Sequence, residues 1–323
     1  MNGIIQSFLI FLISCVLLVV AGKLVIDALM RVSKFLHWKE FVVAFFSVSL
    51  GAVLPEFFIG ITSALKGVPE LSLGNIFGQN IILFSLAPAI CVFILGKLEM
   101  ESRTVRAGSF FAVLVAILPL LLILNGELSR IDGIILISAF FFYIFWLFSK
   151  RERFSKIYNH EEERPVIKKL QSFLKDIAII FGGLLLIVLF AQGVVNSAQE
   201  FSSIIGIPLA LVGIFIVGLG VALPETFLVI NLARKGESWM ILGGLMGAVA
   251  VSSTLVLGMV ALIQPIVFEQ IEEFSPFATA RIFLIISALF FLFFSRTDRK
   301  ICFKEAIFLL GIYIVFLLFE IMV

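Results

Sequence analysis

The sequence predicts an all-α polytopic membrane protein, ten transmembrane helices arranged as two inverted five-helix repeats. Three features carry that expectation: an apolar composition, a regular alternation of loop charge, and a stretch that occurs twice. Of the 323 residues, 61% are hydrophobic and 14% are charged, with a mean hydropathy of +1.18. A soluble chain is about one half apolar and about one quarter charged. The repeated stretch is Gly51-Ala52-Val53-Leu54-Pro55-Glu56, which returns as Gly220-Val221-Ala222-Leu223-Pro224-Glu225. Each copy sets a proline and a carboxylate inside an apolar run, and an acid at that depth is costly enough to mark a functional site.

The apolar runs fall near 4–30, 40–66, 71–96, 104–124, 131–149, 176–200, 207–233, 239–264, 276–295 and 302–322. Each is long enough to cross a bilayer as a helix. Helix is the only open-ended structure that satisfies its own backbone in lipid. A membrane barrel would read as short alternating segments, and these runs are continuous. The first run has no basic n-region, so no cleavable signal peptide is expected.

Loop charge sets the orientation. One set of connections carries Arg31, Lys34 and Lys39; Lys97, Arg103 and Arg106; the 150–175 segment; Arg234 and Lys235; and Arg296, Arg299, Lys300 and Lys304. The alternate set is nearly free of cations, with Glu200 in one loop and Glu269, Glu272 and Glu273 in another. The cation-rich side is expected to be cytoplasmic, which places both termini outside. The segment from Lys150 to Lys175 mixes cations with Glu161-Glu162-Glu163 and reads as a solvated cytoplasmic linker. It divides the chain into a first half, 1–149, and a second half, 176–323. Its acidic triplet lacks the spacing of a calcium-sensing loop.

Glu56 and Glu225 stand 169 positions apart, and at that shift the halves align without a gap from about residue 21 to 88. Lys23 falls on Gln192, Asp27 on Asn196, Gly51 on Gly220, Phe58 on Phe227, Lys66-Gly67 on Lys235-Gly236, Leu73-Gly74 on Leu242-Gly243 and Gly78 on Gly247. Each half holds an odd number of spans, so the second copy must cross the membrane in the opposite sense. Inverted repeats of this kind characterise secondary transporters, whose site lies at the midplane between the halves.

The chemistry of the repeated stretch points to a cation. Proline lacks an amide donor and its ring clashes with the carbonyl four residues earlier. Those carbonyls belong to Gly51 and Gly220, and their neighbours Ala52 and Val221 are loosened with them. Bare carbonyls beside a carboxylate suit a hard cation such as Ca2+ or Na+. Glycines four apart at Gly74 and Gly78, and at Gly243 and Gly247, would let the third and eighth helices press against the two Pro-Glu helices. Two carboxylates facing each other in a low dielectric repel, so one Ca2+, two Na+ or two protons would each relieve the site. Mutual exclusion at one site is the simplest form of antiport. Lys23 and Asp27 have the spacing of a local i,i+4 pair, and phenylalanine runs such as Phe140-Phe141-Phe142 are expected to face lipid or fill the packing.

At these residues the chain resembles the calcium/cation antiporter superfamily, above all the prokaryotic sodium/calcium exchangers, whose halves each carry a GTSxPE element followed by GNxxGSNxxN or a variant ending in aspartate. The resemblance implies two inverted five-helix halves with ions held between the second, third, seventh and eighth helices, in the plasma membrane of a prokaryote. It implies that Glu56 and Glu225 bind calcium and that the carbonyls of Ala52 and Val221 bind ions. The departures are specific. Thr-Ser before the LPE becomes Ala52-Val53 and Val221-Ala222. The serine of GSN becomes Gln79 and Ala248, and the residue four positions later becomes Leu83 and Ser252. Gly78 stands where a proton-coupled branch often has glutamate. Gln79, Asn80, Asn75, Ser252 and Ser253 are the polar groups at hand to replace the missing oxygens.

The expected function is therefore secondary active exchange of Ca2+ against Na+ or H+ at a midplane glutamate pair, with sodium and proton coupling both open. A divergent relative moving another cation or a small solute, and a non-transporting membrane scaffold, are the rival readings. No nucleophile–base pair, metal-ligand cluster or phosphate loop suggests an enzyme. No cofactor is expected beyond the transported ions, and the partners are inorganic cations and the bilayer. The net charge of +2 gives no footprint for nucleic acid. Cys15, Cys91 and Cys302 are scattered, and His37 and His160 lie in basic polar stretches, so neither a thiol nor a zinc site is expected.

Overall fold

The computed structural model describes residues 2–35, 51–99, 103–149, 166–222, 238–268, 271–297 and 300–322, with single positions at 226, 230 and 234. These residues are almost entirely helical. In chain order they form α1 (Asn2–Phe35), α2 (Gly51–Leu65), α3 (Pro69–Phe84), α4 (Leu86–Leu95), β1 (Lys97–Glu99), α5 (Arg103–Leu122), β2 (Glu127–Leu128), α6 (Arg130–Ser149) and α7 (Val166–Ile205). Then follow α8 (Leu209–Ala222), α9 (Ser238–Val251), α10 (Leu257–Ile263), β3 (Ile266–Val267), α11 (Ile271–Thr297), β4 (Lys300–Cys302) and α12 (Phe303–Met322). Among the described residues six segments are long and apolar enough to cross a membrane: Gln6–Val32, Pro69–Leu95, Gly108–Asn125, Ser172–Ile205, Ile241–Ile263 and Phe277–Arg296. The shorter apolar helices Val53–Leu65 and Leu209–Ala222 carry the two copies of the repeated stretch as far as it is described. His37, His160, Glu269 and the acidic triplet of the linker lie outside the described residues.

Three spans depart from uniform α geometry. The expected third span breaks at Ser85, which has φ −122° and ψ −73° and separates α3 from α4. Pro88 explains the break, since it cannot donate to the carbonyl of Phe84. Ser85 compensates locally: its amide donates to Ile81 at 3.0 Å and its hydroxyl to the same carbonyl. The eighth expected span is interrupted by a π turn at Ser252–Val256, which joins α9 to α10. A second π turn, Gly213–Val217, lies inside α8. Such one-turn bulges concentrate at functional sites.

α1 and α7 run antiparallel as a pair. Arg31 near the end of α1 meets Asp176 near the start of α7 at 2.7 Å, and Ser7 donates to Glu200 at the other end. Lys23 and Asp27 form no ion pair with each other, contrary to their spacing; the cation that is used is Arg31, one turn further on. Arg31→Ala would leave the buried Asp176 carboxylate without its cation. Its expected effect is a lower melting temperature in detergent, partly restored when Asp176→Ala is added. α7 begins at Val166, so the helix extends ten residues into the stretch read as linker.

The remaining helices close around α3 and α9. α4 packs on α12 and α10 on α6; α5 packs on α9 and α3 on α11. Two short ribbons tie the connections: β1 pairs antiparallel with β4, and β2 with β3. The Phe140-Phe141-Phe142 run divides between the two expected roles. Phe140 is buried in the core, whereas Phe141 and Phe142 point outward.

Candidate functional site

The site is built where α2, α3, α8 and the π turn after α9 meet. Close approach depends on glycine. A Cβ on Gly74 would lie 2.4 Å from the carbonyl oxygen of Ala210, and one on Gly78 would lie 2.2 Å from that of Ile214. α8 answers with Gly213, whose Cβ would lie 2.5 Å from the Leu71 carbonyl oxygen. The third helix thus presses its backbone against a Pro-Glu helix, as the spacing predicts. Among the described residues nothing lies within 4 Å of a Cβ on Gly243. The eighth span meets α2 at Gly60, whose Cβ would lie 3.0 Å from Val256 and from Val260.

Glu56 sits one residue past Pro55 inside α2 and is fully buried. Gln79 of α3, also fully buried, donates from Nε2 to Glu56 Oε1 at 2.7 Å. The next residue, Asn80, reaches the other way. Its Nδ2 donates to Ser253 Oγ at 2.8 Å, and its Oδ1 accepts from Ser252 Oγ at 3.5 Å. Ser252 and Ser253 belong to the π turn, which brings both hydroxyls to α3. One buried polar chain therefore runs from α2 through α3 to the eighth span. Its members are a carboxylate, two amides and two hydroxyls, and the oxygens among them are the donor types a hard cation accepts.

Of the residues singled out from the sequence, Glu56, Gln79, Asn80, Ser252 and Ser253 come together in this chain of contacts. Ala52 lies in the first turn of α2 and Val221 is buried near the end of α8. Glu225 and Pro224 lie outside the described residues, and so does the facing of the two glutamates. Just beyond them Thr226 donates to the Ala222 carbonyl at 2.8 Å, a hydroxyl the sequence reading did not pick out. α1 covers both repeated stretches: Pro55 approaches Gly22, and the Phe11 ring lies 3.1 Å from where a Cβ on Gly220 would stand. The family positions that lost their oxygens have become core, with Leu83, Val53 and Ala248 buried.

A buried carboxylate on a proline-interrupted helix, held among amides and hydroxyls inside a bundle of membrane-length helices, defines a membrane transporter rather than an enzyme. The sodium/calcium exchanger protein family model matches residues 6–149 and 175–322, and the chain belongs to that family. Among its relatives is the sodium/calcium exchanger MaX1 of Methanosarcina acetivorans, 24% identical, with 96% of this chain and 97% of that protein covered. The inner membrane protein YrbG of Escherichia coli is 26% identical over 75% of this chain and 74% of its own. The fold is that of the H+/Ca2+ exchanger CAX, with a TM-score of 0.75 at 21% identity, covering 97% of this chain and 82% of that one. It is also that of the sodium-calcium exchanger NCX_Mj, with a TM-score of 0.63 at 21% identity, covering 97% and 98%. The chain is thus an integral membrane cation antiporter with prokaryotic relatives.

Proposed function

We propose that this protein exchanges Ca2+ against Na+ or H+ at a midplane site centred on Glu56 and Glu225. The observation that carries the reading is the full burial of Glu56 beside Pro55, with the Gln79 amide on its carboxylate. Relatives named for Na+/Ca2+ and H+/Ca2+ exchange support calcium as the driven ion. An anion buried at that depth is stable only when compensated. In the structure the Gln79 N–H contributes to that compensation. A cation arriving at Glu56 displaces that donor, and the amide then turns its Oε1 toward the ion. Ala52 and Val221 supply carbonyls, and Asn80 and Ser252 supply further oxygens. Gln79→Leu removes both the donor and the replacement ligand. The half-saturating calcium concentration for flux is expected to rise about tenfold, the effect of one lost hydrogen bond to a charged group.

The ten-span, inverted-repeat arrangement belongs to the same proposal. Under the 169-residue shift β1 moves onto β3, so the β1–β4 and β2–β3 ribbons are each other's counterparts. The packing of α4 on α12 and α10 on α6, and of α3 on α11 and α9 on α5, exchanges in the same way. These exchanges support a pseudo-two-fold axis relating residues 1–149 to 176–323; the proposal adds, from loop charge alone, that 150–175 joins them in the cytoplasm with both termini outside.

The apolar Leu83, Val53 and Ala248 stand where the resembled family carries side-chain oxygens, and all three are buried in the core. That replacement favours proton coupling, or a cation other than calcium, as the second reading. Reconstituted protein loaded with calcium and exposed in turn to an imposed Na+ and an imposed H+ gradient separates these. The expected result is calcium movement driven by at least one gradient. Calcium that moves under neither, while another cation does, would transfer the site to that cation.

A further inference from the structure

We propose a second, neutral-oxygen station for a monovalent cation, formed by Ser72 and Asn75 of α3, on the side of Glu56 that leads to the 66–68 turn. It rests on the reading of Glu56 as an exchange site and adds a staging point on its extracellular approach. Ser72 and Asn75 are both fully buried. Among the described residues the Ser72 Oγ and the Asn75 Oδ1 and Nδ2 have no hydrogen-bond partner. A buried amide with neither end satisfied is costly unless something polar meets it.

Their position gives the pattern meaning. Ser72, Asn75 and Gln79 follow an i, i+3, i+7 spacing and so lie along one side of α3. Gln79 bonds Glu56. Asn75 is one turn further out, about 6 Å along the axis, and Ser72 about 10 Å. Gly74 and Gly78 mark the side of α3 that abuts α8, and Ser72 faces Gly60 of α2, where a Cβ would come to 3.1 Å of its Oγ. Asn75 stands between those two sides, its backbone nitrogen and oxygen 3.1 and 3.2 Å from where Cβ atoms on Gly213 and Gly218 would be. The station therefore occupies the seam of α2, α3 and α8, and Gly60 keeps room beside it.

The donor set selects the ion. The side chains supply neutral oxygens and no carboxylate. Ca2+ takes about six to eight oxygens, carboxylates among them, and loses far more hydration energy than a monovalent ion when those are lacking. Sodium, with part of its water retained, fits two neutral oxygens next to the field of Glu56. The Asn75 amide would present Oδ1 to the ion and leave Nδ2 for that water.

The test measures thermal stabilisation of the purified full-length protein by Na+ and, separately, by Ca2+, for wild type, Ser72→Ala and Asn75→Leu. The expected result is a rise of about tenfold in half-saturating Na+ for Asn75→Leu, the effect of one lost charge–dipole contact, with the Ca2+ value unchanged. Ser72→Ala should move the Na+ value in the same direction. Equal shifts for both ions, or none for either, would overturn the station. Were Asn75→Leu to fail to fold, Ser72→Ala carries the same comparison. Failure of the exchange reading shows elsewhere, as calcium stabilisation that survives Glu56→Gln, so the two are told apart.

Discussion

Glu56→Gln is expected to abolish calcium exchange in proteoliposomes, lowering the initial rate by at least about a hundredfold, or ~3 kcal/mol. The substitution keeps the side-chain shape, and the new amide oxygen can still accept from Gln79 Nε2, which sits 2.7 Å from Oε1 in the native protein. What is lost is the single negative charge that α2 brings to the polar chain. The remaining described members, Gln79, Asn80, Ser252 and Ser253, are neutral and cannot alone compensate a divalent ion. Glu56 is fully buried, and holding a charge at that depth costs free energy, so its neutralisation should not lower the melting temperature. Loss of flux with intact folding assigns the residue to ion handling. Exchange at the wild-type rate would remove Glu56 from the mechanism.

Gly78→Ala is the second large effect, and it falls on stability. The added methyl would lie 2.2 Å from the carbonyl oxygen of Ile214 and within 3.0 Å of that residue's Cα and carbonyl carbon. Those are backbone atoms of α8 and cannot swing aside as a side chain can. α3 and α8 must separate, and overpacking of this kind costs about 1–3 kcal/mol, more where backbone is the obstacle. Separation would also pull Gln79, the next residue, away from Glu56. The variant should therefore show a reduced yield of monodisperse protein, a lower melting temperature and weakened flux. Gly182→Ala provides the contrast. It lies in α7 with nothing among the described residues within 4 Å of its Cβ position, and alanine is the better helix former by about 1 kcal/mol. Its stability should hold or rise.

The difference between these two glycines shows how much the sequence could disclose. The pair Gly74 and Gly78 was legible because close helix contact demands small residues at a fixed spacing, and the structure sets both against α8. The same spacing at Gly243 and Gly247 gave the same expectation, yet among the described residues nothing lies against Gly243. Spacing shows which helix face is small and cannot say which neighbour takes it up. Glu56 and Gln79 were legible from chemistry, because a buried acid requires a partner and the adjoining helix offers few. The π turn at Ser252–Val256 was not legible: no proline or glycine lies within it, and its hydroxyls meet Asn80 of another helix. The break at Ser85 had a signal in Pro88, three residues on, which an unbroken apolar run concealed. Ser72 passed unnoticed because a lone serine in an apolar helix is usually satisfied by a carbonyl of its own helix. Among the described residues this one has no such partner. The Lys23–Asp27 spacing misled for a related reason, since Arg31 reaches Asp176 across the helix pair and the acid near Lys23 forms no ion pair with it.

The central claim is that Glu56 trades its internal amide donor for a cation. A structure of the purified protein at saturating calcium tests it most directly. The account predicts an ion at about 2.3–2.6 Å from a Glu56 carboxylate oxygen, with Glu225 on its other side and the Gln79 amide turned to offer oxygen. An ion bound elsewhere, with the Gln79 N–H still on Glu56, would contradict it.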